Sequence, residues 1–151
     1  PGASPAMRHF PQMASVMTPF PYHIDATAKL ADARLMMEEH SIRHLPVFAE
    51  GDIVGVISER DLERAHIPGH PLREETELVV GDLCTHRPYF VDVADPLHLV
   101  LDAMAEKRLG SVLVLKEGEL AGLFTAVDAC RLLSKLLLEN HGPVTPGTDA
   151  A

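Results

Sequence analysis

Two seven-residue stretches carry the same polar groups at the same spacing: GVISERD at 55–61 and GLFTAVD at 122–128. Each has a glycine, two apolar residues, a hydroxyl residue and, three positions later, an aspartate. That spacing can do two kinds of chemistry. It can close a capping box, in which Ser58 or Thr125 accepts from a helix-start amide and Asp61 or Asp128 reaches back. Such a cap stabilises its helix by roughly 1 kcal/mol. The same groups can hold a sugar phosphate. A helix start offers free N–H groups and partial positive charge to a phosphate. A carboxylate one turn in accepts charge-assisted bonds from a vicinal diol such as ribose. Arg60 can support a phosphate in the first motif, where the second has Val127, so the first is better provided for a phosphate-bearing ligand. His44 and its neighbour Arg43 can touch a phosphate or serve the surface and packing. Gly55 and Gly122 permit close approach at a strand centre.

The motifs sit inside a longer repeat. Shifting the chain by 67 lays residues 21–64 on 88–131 without a gap and gives twelve identities, from Pro21/Pro88 and Tyr22/Tyr89 to Asp61/Asp128 and Arg64/Arg131. Two copies do not make a solenoid, so a pseudo-twofold pair is expected. Each unit has the same order of elements. Residues 22–25 and 89–92 lean to strand. Thr27 is expected to cap a helix running to His40, and Asp95 its counterpart, with Pro96 in the first turn and Leu97, Val100, Leu101 and Met104 as the apolar stripe. HLPVF and IVGVI, joined by AEGD, read as an antiparallel hairpin, as do SVLVL and LAGLF joined by KEGE. Helices follow at 59–66 and from Ala126 to Asn140, where Gly142 and Pro143 stop the second. VGDLC at 80–84 echoes ASVMT at 14–18 as a short lead-in helix. A unit of about 45 residues buries too little surface to stand alone, so the two are expected to share one interior.

The doubled β-α-β-β-α pattern resembles a tandem pair of CBS domains, named after cystathionine β-synthase and also called a Bateman module. The resemblance is carried by HLPV, a turn and GVISERD, recurring at one spacing over roughly residues 14–138. It implies an α/β (α+β) fold of two repeats packed as one module. The expected division is a disordered segment at 1–12, repeat one at 13–66, a linker at 67–79, repeat two at 80–140 and a disordered tail at 141–151. It implies a regulatory sensor of adenosine-containing ligands: AMP, ADP, ATP, NAD or S-adenosylmethionine. By resemblance, one site comprises Pro21, Tyr22, Leu45, Pro46 and Ile57 around the base, with Ser58 and Asp61 on ribose and phosphate; His44 and Arg60 join it. The other comprises Pro88, Tyr89, Val112, Phe124, Thr125 and Asp128. The second unit has Leu113 where the first has Pro46. Such pairs commonly associate further into dimers.

Composition narrows the alternatives. The net charge is −9, with 22 acids against 13 bases, which disfavours general nucleic-acid or anionic-membrane binding. The sequence has no apolar run long enough to span a bilayer and no charged-then-apolar opening segment. Cys84 and Cys130 are too few for a disulfide framework, which favours reduced thiols in the cytoplasm. His66 and His70 are separated by Pro68 and Gly69, which breaks the helix that would align them on a metal, so no metal site is expected. No nucleophile elbow, P-loop or GxGxxG occurs, and no enzyme activity is expected. Met17, Met36, Met37 and Met104 read as core filling. Leu132, Leu133, Leu136, Leu137 and Leu138 cover more than one helical face, which points to a dimer partner. The expected partners are an adenine nucleotide, a second copy of the chain and a downstream protein that the sequence does not identify. The rival reading is a ligand-free interaction scaffold whose motifs are only helix caps.

Overall fold

The computed structural model describes residues 11–65, 78–145 and 147. His66 and His70 and most of the expected linker lie outside the described residues. The elements run α1 (Met13–Val16), β1 (Thr18–Pro19), β2 (Ile24–Asp25), α2 (Leu30–His40), β3 (His44–Ala49), β4 (Asp52–Ser58) and α3 (Glu59–Arg64). The second series is α4 (Val80–Leu83), β5 (Phe90–Asp92), α5 (Leu97–Lys107), β6 (Ser111–Lys116), β7 (Glu119–Thr125) and α6 (Ala126–His141). The expected doubled order is therefore present, including both lead-in helices. Each hairpin turns on two residues with positive φ, Glu50–Gly51 and Glu117–Gly118, the backbone that matches strand twist.

The two units exchange their beginnings. The sheets have strand orders β2-β3-β4 and β1-β7-β6-β5, so β1 leaves its own unit and pairs antiparallel with β7. The second unit reciprocates through the bridge of Thr85 to Val56 in β4. The lead-in helices follow. Met13 is buried with Val91, Val100, Met104 and Phe124, whereas Val80 and Cys84 are buried with Leu30, Met37, Leu45 and Ile57. The backbone bonds match across the 67-residue shift: Met13 N–H donates to the Asp95 carbonyl at 3.0 Å and Val80 N–H to that of Ala28 at 2.9 Å. Each core is thus completed by a helix from the other half of the sequence.

Two glycines make this exchange possible. A Cβ at Gly55 would run into the Thr85 carbonyl oxygen and stand 3.0 Å from the Cys84 sulfur. One at Gly122 would run into the Met17 side chain and lie 3.0 Å from the Thr18 carbonyl oxygen. The room expected at these positions for a ligand is instead taken by the other unit's lead-in chain.

Two expected caps are corrected. The residue before α2 is Lys29 and that before α5 is Pro96, and neither caps through its side chain. Thr27 instead donates from its amide and hydroxyl to Asp25 Oδ1, at 2.9 and 2.7 Å. Asp95 accepts from the Asp92 amide at 2.8 Å, and the Leu97 amide at the start of α5 is satisfied by the exchanged Pro11 carbonyl at 2.8 Å. The backbone of the lead-in segment supplies the acceptor that a side chain was expected to provide.

Gly55→Ala is expected to destabilise the chain by about 1–3 kcal/mol, because backbone rather than a flexible side chain must yield. Urea melts of the variant and the parent check this, and an unchanged midpoint would show that the exchanged contact is dispensable.

Candidate functional site

Both motifs form complete capping boxes. In the first, Asp61 N–H donates to Ser58 Oγ at 3.2 Å, and Ser58 N–H donates to Asp61 Oδ2 at 2.8 Å. The Ser58 hydroxyl also donates to that carboxylate, at 2.9 Å. In the second, Asp128 N–H donates to Thr125 Oγ1 at 3.1 Å and Thr125 N–H donates to Asp128 Oδ2 at 2.9 Å. Among the described residues, no matching bond runs from the Thr125 hydroxyl to Asp128, so its proton is not committed to the box as that of Ser58 is. Each aspartate turns its other oxygen toward an arginine one turn on, Arg64 at 3.8 Å and Arg131 at 4.0 Å. The carboxylates are partly sheltered, with side-chain exposures of 14% for Asp61 and 26% for Asp128.

A cavity of about 670 Å³ opens against the second motif, within the usual range for small-molecule sites. Its walls come from both units. One wall is the exchanged segment Thr18, Pro19, Phe20, Pro21 and Tyr22; a second is Ser41, Ile42, Arg43 and His44; the third is Leu123, Thr125, Val127, Asp128 and Arg131. Ser41 ends α2 in the left-handed conformation, with φ of 53°, and this turn leads the chain into the second wall. Tyr22 is braced from outside by His40, their rings stacked at 3.7 Å between centroids and 12° between planes.

The cavity therefore regroups the expected residues. Pro21, Tyr22 and His44, assigned to the first motif, lie with Thr125 and Asp128 of the second. The β1–β7 pairing is the reason. By the matching Val56–Thr85 bridge, the segment leading to Pro88 and Tyr89 is carried to the sheet of Ser58 and Asp61. Tyr89 packs on the second core with the Lys107 ammonium 6.0 Å from its ring centre. Leu45, Ile57, Val112 and Phe124 are buried strand residues whose side chains fill the cores, and Pro46 is a fully buried residue of β3. Arg60 is exposed and is not part of the cavity wall. The second motif is supplied with cations from elsewhere, since Arg43 arrives from the other unit and Arg131 from the next turn of α6. Arg131 was legible in the sequence as the repeat of Arg64; the contribution of Thr18 to Phe20 was not, since nothing local marks a strand exchange.

The electrostatics are mixed. Burial pushes the half-buried His44 imidazole below its ordinary range, aided by Arg43 and opposed by Asp61 and Asp128. Burial, with Asp61 next, pushes the Cys84 thiol up and keeps it protonated. Cys84 and Cys130 are both free. Among the described residues no group of histidine, cysteine and acid side chains could hold a metal ion. No helix among them is long and apolar enough to cross a membrane. A second groove of about 370 Å³, lined by Arg34, Met37, Ile42, Leu62 and three glutamates, Glu38, Glu59 and Glu63, takes Glu59 from the first motif but neither Ser58 nor Asp61.

The comparisons with known proteins agree with this architecture. The profile of the CBS domain matches residues 13–67 and again 80–135. The chain is 39% identical over 51 residues to Hypoxic response protein 1 of Mycobacterium tuberculosis, a match covering 34% of this chain and 35% of that protein. It thus spans about a third of the length of that relative. Among solved structures it resembles the CBS domain pair of protein MJ0100 in complex with 5′-methylthioadenosine and S-adenosyl-L-methionine, with a TM-score of 0.73 at 20% identity, covering 83% of this chain and 97% of that one. It also resembles CBSX2 in complex with AMP, with a TM-score of 0.68 at 23% identity and the same coverages of 83% and 97%. Two profile matches in tandem, on two units that complete each other's cores, make this chain a member of the CBS domain family, folded as a CBS pair.

Proposed function

We propose that the chain is a regulatory module that binds an adenosine-containing ligand in the cleft between its units. The carrying observation is the cavity that sets Asp128 and Thr125, at the start of a sixteen-residue helix, against an apolar wall from the other unit. Asp128 accepts from the ribose hydroxyls through the oxygen that faces Arg131. The Thr125 hydroxyl and the first amides of α6 face the 5′ substituent. Pro21, Tyr22, Ile42 and Leu123 receive the base. Ser58, Arg60 and Asp61 with Pro88 and Tyr89 form the counterpart site, and the buried strand residues Leu45, Pro46, Ile57, Val112 and Phe124 back the two sites. The adenosine ligands in the MJ0100 and CBSX2 complexes support this reading. AMP, ADP, ATP, NAD and S-adenosylmethionine are the compounds to try. The role is sensing rather than catalysis.

The output is a change in association. Leu133, Leu136, Leu137 and Leu138 are each about half exposed along α6, an apolar surface that suits a second copy of the chain. The capping boxes, complete without any ligand, favour one second reading, a scaffold that binds no nucleotide.

A thermal-shift panel separates the two. A ligand at 100 times its dissociation constant stabilises by about 2.7 kcal/mol, and Asp128→Asn is expected to reduce that shift while leaving the unliganded melt close to the parent, since Asn still accepts from the Thr125 amide. A flat panel favours the scaffold. Leu133→Glu with Leu137→Glu is expected to leave the melt intact and to convert dimer to monomer by light scattering; an unaltered mass would remove α6 from the interface.

His44 makes a pH prediction. Its lowered value means that the folded chain favours the neutral ring, whereas the unfolded chain takes up a proton near pH 6.5. The stability it contributes is present above about pH 6.5 and is lost as pH falls below that toward the folded value. Urea midpoints are expected to drop between pH 7.5 and 5.5, and His44→Gln is expected to flatten part of that drop.

A further inference from the structure

Two tyrosines occupy the same place in the repeat, and each has a basic side chain over its ring. Tyr22 and Tyr89 are 67 positions apart, as are His40 and Lys107. The His40 imidazole lies face to face with the Tyr22 ring, 3.7 Å between centroids and 12° between planes. The Lys107 ammonium stands 6.0 Å from the centre of the Tyr89 ring. His40 is the last residue of α2 and Lys107 the last of α5, so both braces come from the same turn of the repeat. Tyr22 is 53% exposed, so burial alone does not fix its ring. His40 is exposed and stands outside the cavity wall.

We infer that His40 is a positioning residue, which acts on the ligand through Tyr22 by clasping the exchanged segment to the turn that follows α2. The inference rests on the adenosine reading above. Tyr22 ends the wall that runs from Thr18, and the wall of Ser41 to His44 begins one residue after His40. The stack therefore ties two walls of the cavity to each other. His40 covers one face of the phenol ring from outside, which leaves the other face to the cavity. A tyrosine on a surface samples several rotamers, and a ligand that needs one of them must freeze it. An imidazole at stacking distance freezes the ring beforehand, so a flat base meets a wall already in place.

The two braces are of different kinds. A stacked imidazole contacts the phenol ring over its whole face. An ammonium makes a point attraction to the ring and rides on a flexible four-carbon stem. The units thus keep the tyrosine and differ in how firmly they hold it, with the stiffer wall at the Asp128 cleft. The difference lies in residues outside both motifs.

A double-mutant cycle tests this by isothermal titration of the full chain, in an Asp61→Asn background so that only the Asp128 cleft keeps its motif carboxylate. The probes are AMP and S-adenosylmethionine, and the cycle is run with the tighter of the two. His40→Ala is expected to weaken that probe about three- to tenfold, the scale of one aromatic pair. His40→Phe is expected to bring binding back to within about twofold of the parent, and His40→Lys, which copies the counterpart, to restore part of it. Tyr22→Leu is expected to weaken the probe at least as much as His40→Ala. Adding His40→Ala to Tyr22→Leu is expected to weaken it no further, because a residue that acts through another is not additive with it. A spectroscopic readout accompanies the cycle. In a Tyr89→Phe background Tyr22 is the one tyrosine of the chain. Its ring protons are expected upfield of free tyrosine by NMR in the parent and in the His40→Phe variant, and near the free position in the His40→Ala variant. Ring protons that do not move, unchanged affinity on His40→Ala, or losses that add in the double variant would each overturn the inference and leave the adenosine reading intact. Binding of neither probe to the parent would overturn the adenosine reading, and this inference with it.

Discussion

The structure depends on one contact made twice: the backbone of a lead-in segment lying against a strand of the other unit, at a glycine. Gly55 receives Thr85 and Gly122 receives Thr18 and Met17. From that contact the rest follows. The lead-in helix is carried into the opposite core, where Met13 and Val80 are completely buried. A half-chain of about this size buries too little surface to hold together; two halves that fill each other's gaps do not have to. The exchange also builds the cleft, because the chain that crosses over continues as the wall of Pro21 and Tyr22 facing Asp128.

The second motif caps a helix and also lines the cavity. One oxygen of Asp128 is committed to the amide of Thr125 and the other looks toward Arg131 and the cavity. The division is physical: a carboxylate has lone pairs for several donors, so a cap does not exhaust it. The first motif differs in one bond, the Ser58 hydroxyl donating to Asp61. Two copies of one pattern thus present unlike hydroxyl groups to their surroundings, and this difference is invisible in the letters Ser and Thr.

Local chemistry made much of the fold legible. The period of the apolar residues located α2 and α5, and the Gly-containing turns marked both hairpins, since those signals are read within one element. The duplication supplied the pseudo-twofold arrangement. What depended on long-range pairing was not legible. Asp95 looked like a cap because the sequence does not reveal that the Pro11 carbonyl will satisfy the α5 amide. Tyr22 and Asp128 looked like members of separate sites because 106 positions divide them and no local feature announces that β1 joins β7. Leu45 and Phe124 looked like walls of a site, and the register of their strands turns both side chains into the cores.

The crossing of the chain has a mechanical side. A pull applied ahead of Met13 loads β7, whereas a pull applied ahead of Val80 loads β4. Tension entering at one end is thereby delivered to the far half of the molecule, and it arrives at the strand that runs directly into Thr125. In any larger assembly that tethers this pair, force would reach the residues that line the cavity.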